Sequence, residues 1–188
     1  MIEVKIKKTI ANLTKLLSSG PSIDAIAKTA DLIVNAIKIN NKLMICGNGG
    51  SAADAQHVAG EFLCRFYKDR HPMPAIALTT DTSVITSISN DYSYDQIFSR
   101  QVKGLGKNGD VLLGISTSGS SKNVLEAFKV AREMQIATIL LTGAIDKDIA
   151  VYSDIVINAP STDTPYIQEM HLVIEHILCE LVEKNIYL

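Results

Sequence analysis

Apolar positions along this chain follow two periods in alternation. Residues 3–18 place Ile6, Ile10, Leu13 and Leu17 at helical spacing, which predicts an amphipathic helix. Gly20-Pro21-Ser22 breaks it, and a second helix follows with Ile26, Ala30, Ile33 and Ile37 along one stripe. Leu43-Met44-Ile45-Cys46 is a continuous apolar run, short enough to be a buried strand over 42–46, and a helix over about 51–66 comes next. His71-Pro72-Met73-Pro74 reads as a turn, Ala75-Ile76-Ala77-Leu78 as a short strand, and the residues from Thr82 toward Asn90-Asp91 as a polar helix. Tyr94 to Val102 is helical again. Val111-Leu112-Leu113-Gly114-Ile115 is a second strongly apolar strand, followed by a helix with Val124, Phe128, Ala131 and Met134 on one face. Ala137–Leu141 and Asp154–Ile157 are further strands. Residues 164–184 form one long helix whose apolar face is Ile167, Met170, Ile174, Ile177 and Leu181; Gln168, His171, Glu175 and His176 lie off that face.

Buried strands alternating with helices predict an α/β fold with a parallel sheet of about five strands covered on both faces. Two helices stand before the first strand, more than such a core requires. They cover an edge or pack against another subunit. No linker, repeat or low-complexity tract divides the chain, so residues 1–188 read as one domain with a helical pair in residues 1–40.

Composition narrows the function classes. At 188 residues and 47% hydrophobic, the chain is long enough and apolar enough for a sizeable core. A net charge of −2 gives no electrostatic reason to expect nucleic acid or an anionic membrane as a partner. No apolar run approaches the roughly 20 residues of a membrane span, and the N-terminus lacks a signal peptide's apolar core. The three cysteines, Cys46, Cys64 and Cys179, are far apart and form no CxxC pair, which fits reduced core thiols in a cytoplasmic protein.

Candidate chemistry gathers in two loops and two helices. The first loop, Gly47-Asn48-Gly49-Gly50-Ser51, turns tightly after the first strand; Ser51 is placed to cap the next helix, and the helix start suits an anion. The second, Ser116-Thr117-Ser118-Gly119-Ser120-Ser121, puts five hydroxyls in six positions at a strand's C-terminal end, where ligands bind in open α/β sheets. Ordinary capping accounts for one such hydroxyl; five around a glycine point to a phosphate held without Lys or Arg. Neither loop is a Walker P-loop or a GxGxxG dinucleotide turn. His57 and Glu61 lie one turn apart on one helix face, a surface pair or half of a proton-transfer or metal site. Gln168 and His176 are eight residues apart, about 12 Å of helix; either they touch different parts of a ligand, or a site between subunits uses more than one copy. Asn90-Asp91 binds sugar hydroxyls or merely forms a turn.

Taken together these motifs are similar to a known family. Gly47-Asn48-Gly49-Gly50-Ser51-Ala52, Gln56-His57-x-x-x-Glu61, Asn90-Asp91, Ser116-Thr117-Ser118-Gly119-x-Ser121 and Ile167-Gln168-Glu169-Met170-His171 resemble the sedoheptulose 7-phosphate (phosphoheptose) isomerases of the sugar isomerase (SIS) fold. The resemblance implies a three-layer αβα sandwich with a five-stranded parallel sheet and extra N-terminal helices at an oligomer interface. It implies conversion of sedoheptulose 7-phosphate to glycero-manno-heptose 7-phosphate through an enediol(ate), the first step toward nucleotide-activated heptose for surface polysaccharide. By motif position, Ser116, Thr117, Ser118 and Ser121, with Ser51, would hold the phosphate, and Asn48, Gly49, Gly50, Asn90 and Asp91 would line the sugar. Glu61 and His176 would be the acid–base pair; His57, Glu61, Gln168 and His176 would be the zinc ligands seen in some members. Gln168 is counted with the substrate contacts as well. A homotetramer with sites between subunits is expected. One departure is visible: members commonly carry Arg just before Ile-Gln-Glu, and here the residue is Tyr166, preceded by Pro165. A rival expectation is a non-catalytic protein of the same fold, similar to relatives that associate with the bacterial replication initiator. Those lack the acid–base pair, whereas this chain has both Glu61 and His176.

Overall fold

The computed structural model describes residues 1–144 and 148–187. Five strands form one parallel sheet: β1 (Leu43–Gly47), β2 (Ala75–Ala77), β3 (Val111–Ser116), β4 (Ala137–Thr142) and β5 (Ile155–Asn158), in the order β2-β1-β3-β4-β5. Seven α-helices accompany them among the described residues: α1 (Ile2–Leu17), α2 (Gly20–Lys38), α3 (Gly50–Leu63), α4 (Thr82–Asp91), α5 (Ile97–Leu105), α6 (Lys122–Glu133) and α7 (Thr164–Tyr187). The α/β architecture follows the apolar pattern, because a parallel sheet covered on both faces needs strands without a polar side. All residues of β1 and β3 are buried accordingly.

Alternate residues of each strand serve two separate cores. Leu43, Ile45, Leu113, Ile115, Ile139 and Leu141 pack with α2, α3 and α7. Met44, Cys46, Leu112 and Leu140 face the other way, against α5 and α6. The result is helix–sheet–helix layering, with α1 laid across α2 and α7. Asp110, fully buried just before β3, locks the two central strands together. Its carboxylate accepts from the backbone N–H groups of Lys42 (3.0 Å) and Lys107 (2.9 Å) and pairs with the Lys42 ammonium.

Several expectations need correction. The helix that follows the glycine loop starts at Gly50, capped by Gly49 and not by Ser51, which lies inside the first turn and is buried. Gly49 sits at φ +57°, ψ −121°, a conformation that side chains disfavour, so the turn needs glycine there. That helix ends at Leu63 rather than near 66, because residues 64–72 fold back as a loop. Cys64 is exposed, not a core thiol, whereas Cys46 and Cys179 are buried, and burial pushes both of those thiols up to about 12. On α7, His171 and Glu175 are fully buried, while Ile177 is partly exposed. The helix is packed by α2 and α3 as well as by the sheet, so its buried arc is wider than one apolar stripe. No helix among the described residues is long and apolar enough to cross a membrane.

Candidate active site

The two loops singled out by composition follow β1 and β3, which are direct neighbours in the sheet. After β1 the chain passes to α3 and the edge strand β2; after β3 it passes to β4 on the other side. The loops therefore flank the point where strand order reverses, the place where open α/β sheets form a crevice. Side chains tie them together. Asn48 and Asn123, the second residue of α6, exchange two amide hydrogen bonds of 2.9 and 2.8 Å, and the Tyr94 hydroxyl donates to Asn48 Oδ1 at 2.9 Å. The Ser116 and Ser121 hydroxyls are 2.8 Å apart, closing the serine loop on itself. Thr117 and Ser118 face Ser161, Thr162 and Thr164 across a cavity of about 180 Å³. A larger groove of about 610 Å³ lies between α5 and α6, lined by Arg100, Lys103 and Glu126, and holds none of the candidate residues.

The α3–α7 seam brings the ionisable candidates together. His57 Nε2 is 3.2 Å from Glu61 Oε1, as the one-turn spacing predicts. The His176 ring, from α7, stands edge-on to His57 with centroids 5.1 Å apart, and Phe66 covers its other side at 5.8 Å. Both members of the His57–Glu61 pair remain accessible, with side chains 42% and 25% exposed, so a ligand can reach them. Gln168 is placed elsewhere, against Gly50 at the start of α3, so closely that a Cβ on Gly50 would overlap its amide. Gln168 thus meets the start of α3 and His176 meets it about two turns further on, at His57, as the roughly 12 Å of helix between them requires. Among the described residues, no three of His, Cys, Asp and Glu are grouped as a metal cluster. Asn90 and Asp91 are exposed at the end of α4, bonded to each other at 2.9 Å.

Behind this surface lies a buried polar layer that periodicity did not reveal. Burial pushes Glu175 up to about 8, and the Asp54 carboxylate adds to the rise. Asp54 is itself raised by burial, partly offset by His57. His171 is lowered to about 4 by burial, against the opposing effect of its 3.2 Å contact with the Thr142 carbonyl. Asn123, Tyr94 and Phe66 were likewise missed as site residues. Asn123 had one available signal, its place two residues after the serine loop at a helix start; the other two are joined to the site only by tertiary folding.

Comparison with known proteins agrees with this arrangement. A family model described as the SIS domain matches residues 8–143. The phosphoheptose isomerase of Clostridium acetobutylicum is 50% identical over 186 residues, 99% of this chain and 95% of that protein. Among solved structures, a phosphoheptose isomerase from Francisella tularensis superposes with a TM-score of 0.93 at 36% identity, covering 97% of this chain and 96% of that one. The phosphoheptose isomerase from Neisseria gonorrhoeae gives 0.87 at 38% identity over 97% of each chain. Sequence motifs, sheet order and these similarities converge: the chain is an isomerase that belongs to the SIS domain family and, within it, to the phosphoheptose isomerases.

Proposed function

We propose that this enzyme converts sedoheptulose 7-phosphate to glycero-manno-heptose 7-phosphate by proton transfer through an enediol(ate), supplying activated-heptose synthesis for surface polysaccharide. The observation that carries the reading is one juxtaposition. A hydroxyl-rich loop without Lys or Arg closes the end of β3, its Thr117 and Ser118 border Ile167 at the start of α7, and further along that helix, against α3, His57 meets both an accessible carboxylate and the His176 ring. Ser116, Thr117, Ser118 and Ser121, with Ser51, hold the phosphate through hydroxyls and helix-start N–H groups. Fixing that non-reacting end orients the sugar carbons toward α3 and α7. Asn48, Gly49, Gly50, Asn90, Asp91 and Gln168 line the sugar. Glu61 removes the proton from C1 and returns it to C2, while His176 moves protons between the two oxygens. The presence of both residues favours the enzyme over the non-catalytic reading.

Two imidazoles, a carboxylate and an amide are donors of the kind zinc takes. His57 contacts both Glu61 and His176, though among the described residues the three are not drawn together as a ligand cluster within the chain; Gln168, at the start of α3 or from another copy, would complete the set. Zinc bound there would polarise the substrate's oxygens as a Lewis acid. A homotetramer with sites between subunits is supported by α1, whose Ile6, Ile10 and Leu17 present an exposed apolar stripe, and the proposed setting is the cytoplasm.

The test is incubation with sedoheptulose 7-phosphate, following the aldose product. Turnover is expected, and its absence both in metal-replete buffer and after chelation would sink the enzyme assignment. Metal analysis of protein purified without chelator is expected to find about one zinc per chain, and chelation is expected to lower turnover. Substoichiometric metal with full activity would remove zinc from the proposal.

A further inference from the structure

Glu183 lies two turns beyond His176 on α7, seven residues on and on the same side of the helix. It is a charged residue almost without exposure, and its carboxylate is fully used. Oε1 accepts from the backbone N–H of Phe66 at 3.1 Å and from Arg70 Nε at 2.9 Å. Oε2 accepts from the backbone N–H groups of Tyr67 at 2.9 Å and Lys68 at 3.0 Å. The guanidinium of Arg70 extends the clamp to α3, with Nη2 donating to the Glu61 carbonyl and Nη1 to the Phe62 carbonyl, both at 2.8 Å. These carbonyls belong to the last turn of α3, where helix acceptors have no partner of their own. Arg70 and Glu183 side chains are only 2% and 4% exposed.

The consequence falls on both proposed proton carriers. Phe66 receives the clamp through its backbone and lays its ring against His176. Glu61 receives it through its carbonyl. A carboxylate with four donors and no solvent is a costly thing to bury unless its geometry is kept, and here what it keeps in place is the 64–72 loop.

We propose that Glu183 is a positioning residue of the isomerase, acting through Phe66 on the His176 ring and through Arg70 on the last turn of α3 that carries Glu61. This rests on the acid–base reading given above. Glu183 touches neither reacting group itself. Glu183→Gln keeps the shape but turns one acceptor into an NH₂ group facing donors, so one side of the clamp opens.

The experiment compares wild type, Glu183→Gln, Glu183→Asp and Phe66→Leu as full chains, with two readouts. Steady-state turnover of sedoheptulose 7-phosphate is expected to show kcat lowered about tenfold to a hundredfold in Glu183→Gln, with KM within about twofold, because small displacements of catalytic groups act on the chemical step. Glu183→Asp, which retains the charge, is expected to recover part of the loss. Histidine-ring NMR, with His176 assigned by its own Gln variant, is expected to move the His176 signals in Glu183→Gln toward their positions in Phe66→Leu. Unmoved His176 signals in a folded Glu183→Gln protein would overturn the proposal. So would a kcat that falls only in proportion to the folded fraction. An inactive wild type would refute the catalytic reading instead, and the NMR comparison would still judge the clamp.

Discussion

Glu61→Gln is expected to lower kcat for sedoheptulose 7-phosphate by about a thousandfold, with KM changed no more than a few-fold. Removing a positioned general base costs on the order of 10²–10⁴ in rate, and Glu61 is, among the described residues, the carboxylate at the α3–α7 seam that is both accessible and in contact with an imidazole. Gln preserves the side-chain length and an oxygen for His57 but cannot accept a proton from carbon. The serine loop after β3, proposed to hold the phosphate, is untouched, which is why the loss belongs to kcat. His176→Gln is expected to lose less, since a group that shuttles protons between oxygens can be replaced in part by water. Retention of more than a tenth of wild-type kcat in Glu61→Gln would remove Glu61 as the base. A loss expressed entirely in KM would make it a binding residue.

The sequence made the layered sheet legible because β1 and β3 are almost wholly apolar, and short apolar runs that end in glycine and serine turns fit strands buried on two faces. It made the loops legible because glycine and hydroxyl residues are chemically unusual at strand ends. Contacts that depend on the packing of distant elements were not legible. Glu183 meets Phe66, Tyr67, Lys68 and Arg70 across more than a hundred residues of chain, and charge alone marks it as an ordinary surface residue of a helix end. α7 misled for a related reason: α2, α3 and β4 all pack on it, so its buried arc takes in His171, which meets the Thr142 carbonyl of β4, and Glu175, near Asp54 of α3, as well as the apolar stripe. Position 168 shows the reverse case. The gap between Gln168 and His176 followed from helix rise alone, and the two residues are found about two turns of α3 apart, at Gly50 and at His57.

The buried Glu175 makes stability fall as pH rises, and Glu175→Gln is expected to abolish that fall. Its carboxyl oxygens have no protein partner among the described residues, and burial, with Asp54 nearby, raises its titration from 4.5 to about 8. Below about pH 4.5 the residue is protonated in both folded and unfolded chains and contributes nothing to the pH dependence. Between there and pH 8 the unfolded chain releases the proton while the folded chain retains it, so the unfolded state gains; above pH 8 the loss is complete. A shift of this size is worth on the order of 3–5 kcal/mol, or roughly 10 °C in Tm for a chain of this length. The ionisable groups that interact with the carboxyl are Asp54 from α3 and, on α7 itself, Cys179. His171, lowered to about 4, acts in the opposite sense between pH 6.5 and 4, destabilising the fold as pH falls. It is present in both proteins and cancels in their difference. Thermal unfolding of wild type and Glu175→Gln from pH 5 to 9 measures that difference directly. The Tm of the variant relative to wild type is expected to climb with pH up to about 8 and to level off beyond it, whatever fixed offset the amide introduces. A difference that stays flat from pH 5 to 9 would mean that Glu175 ionises normally in the folded chain, through water admitted between α3 and α7.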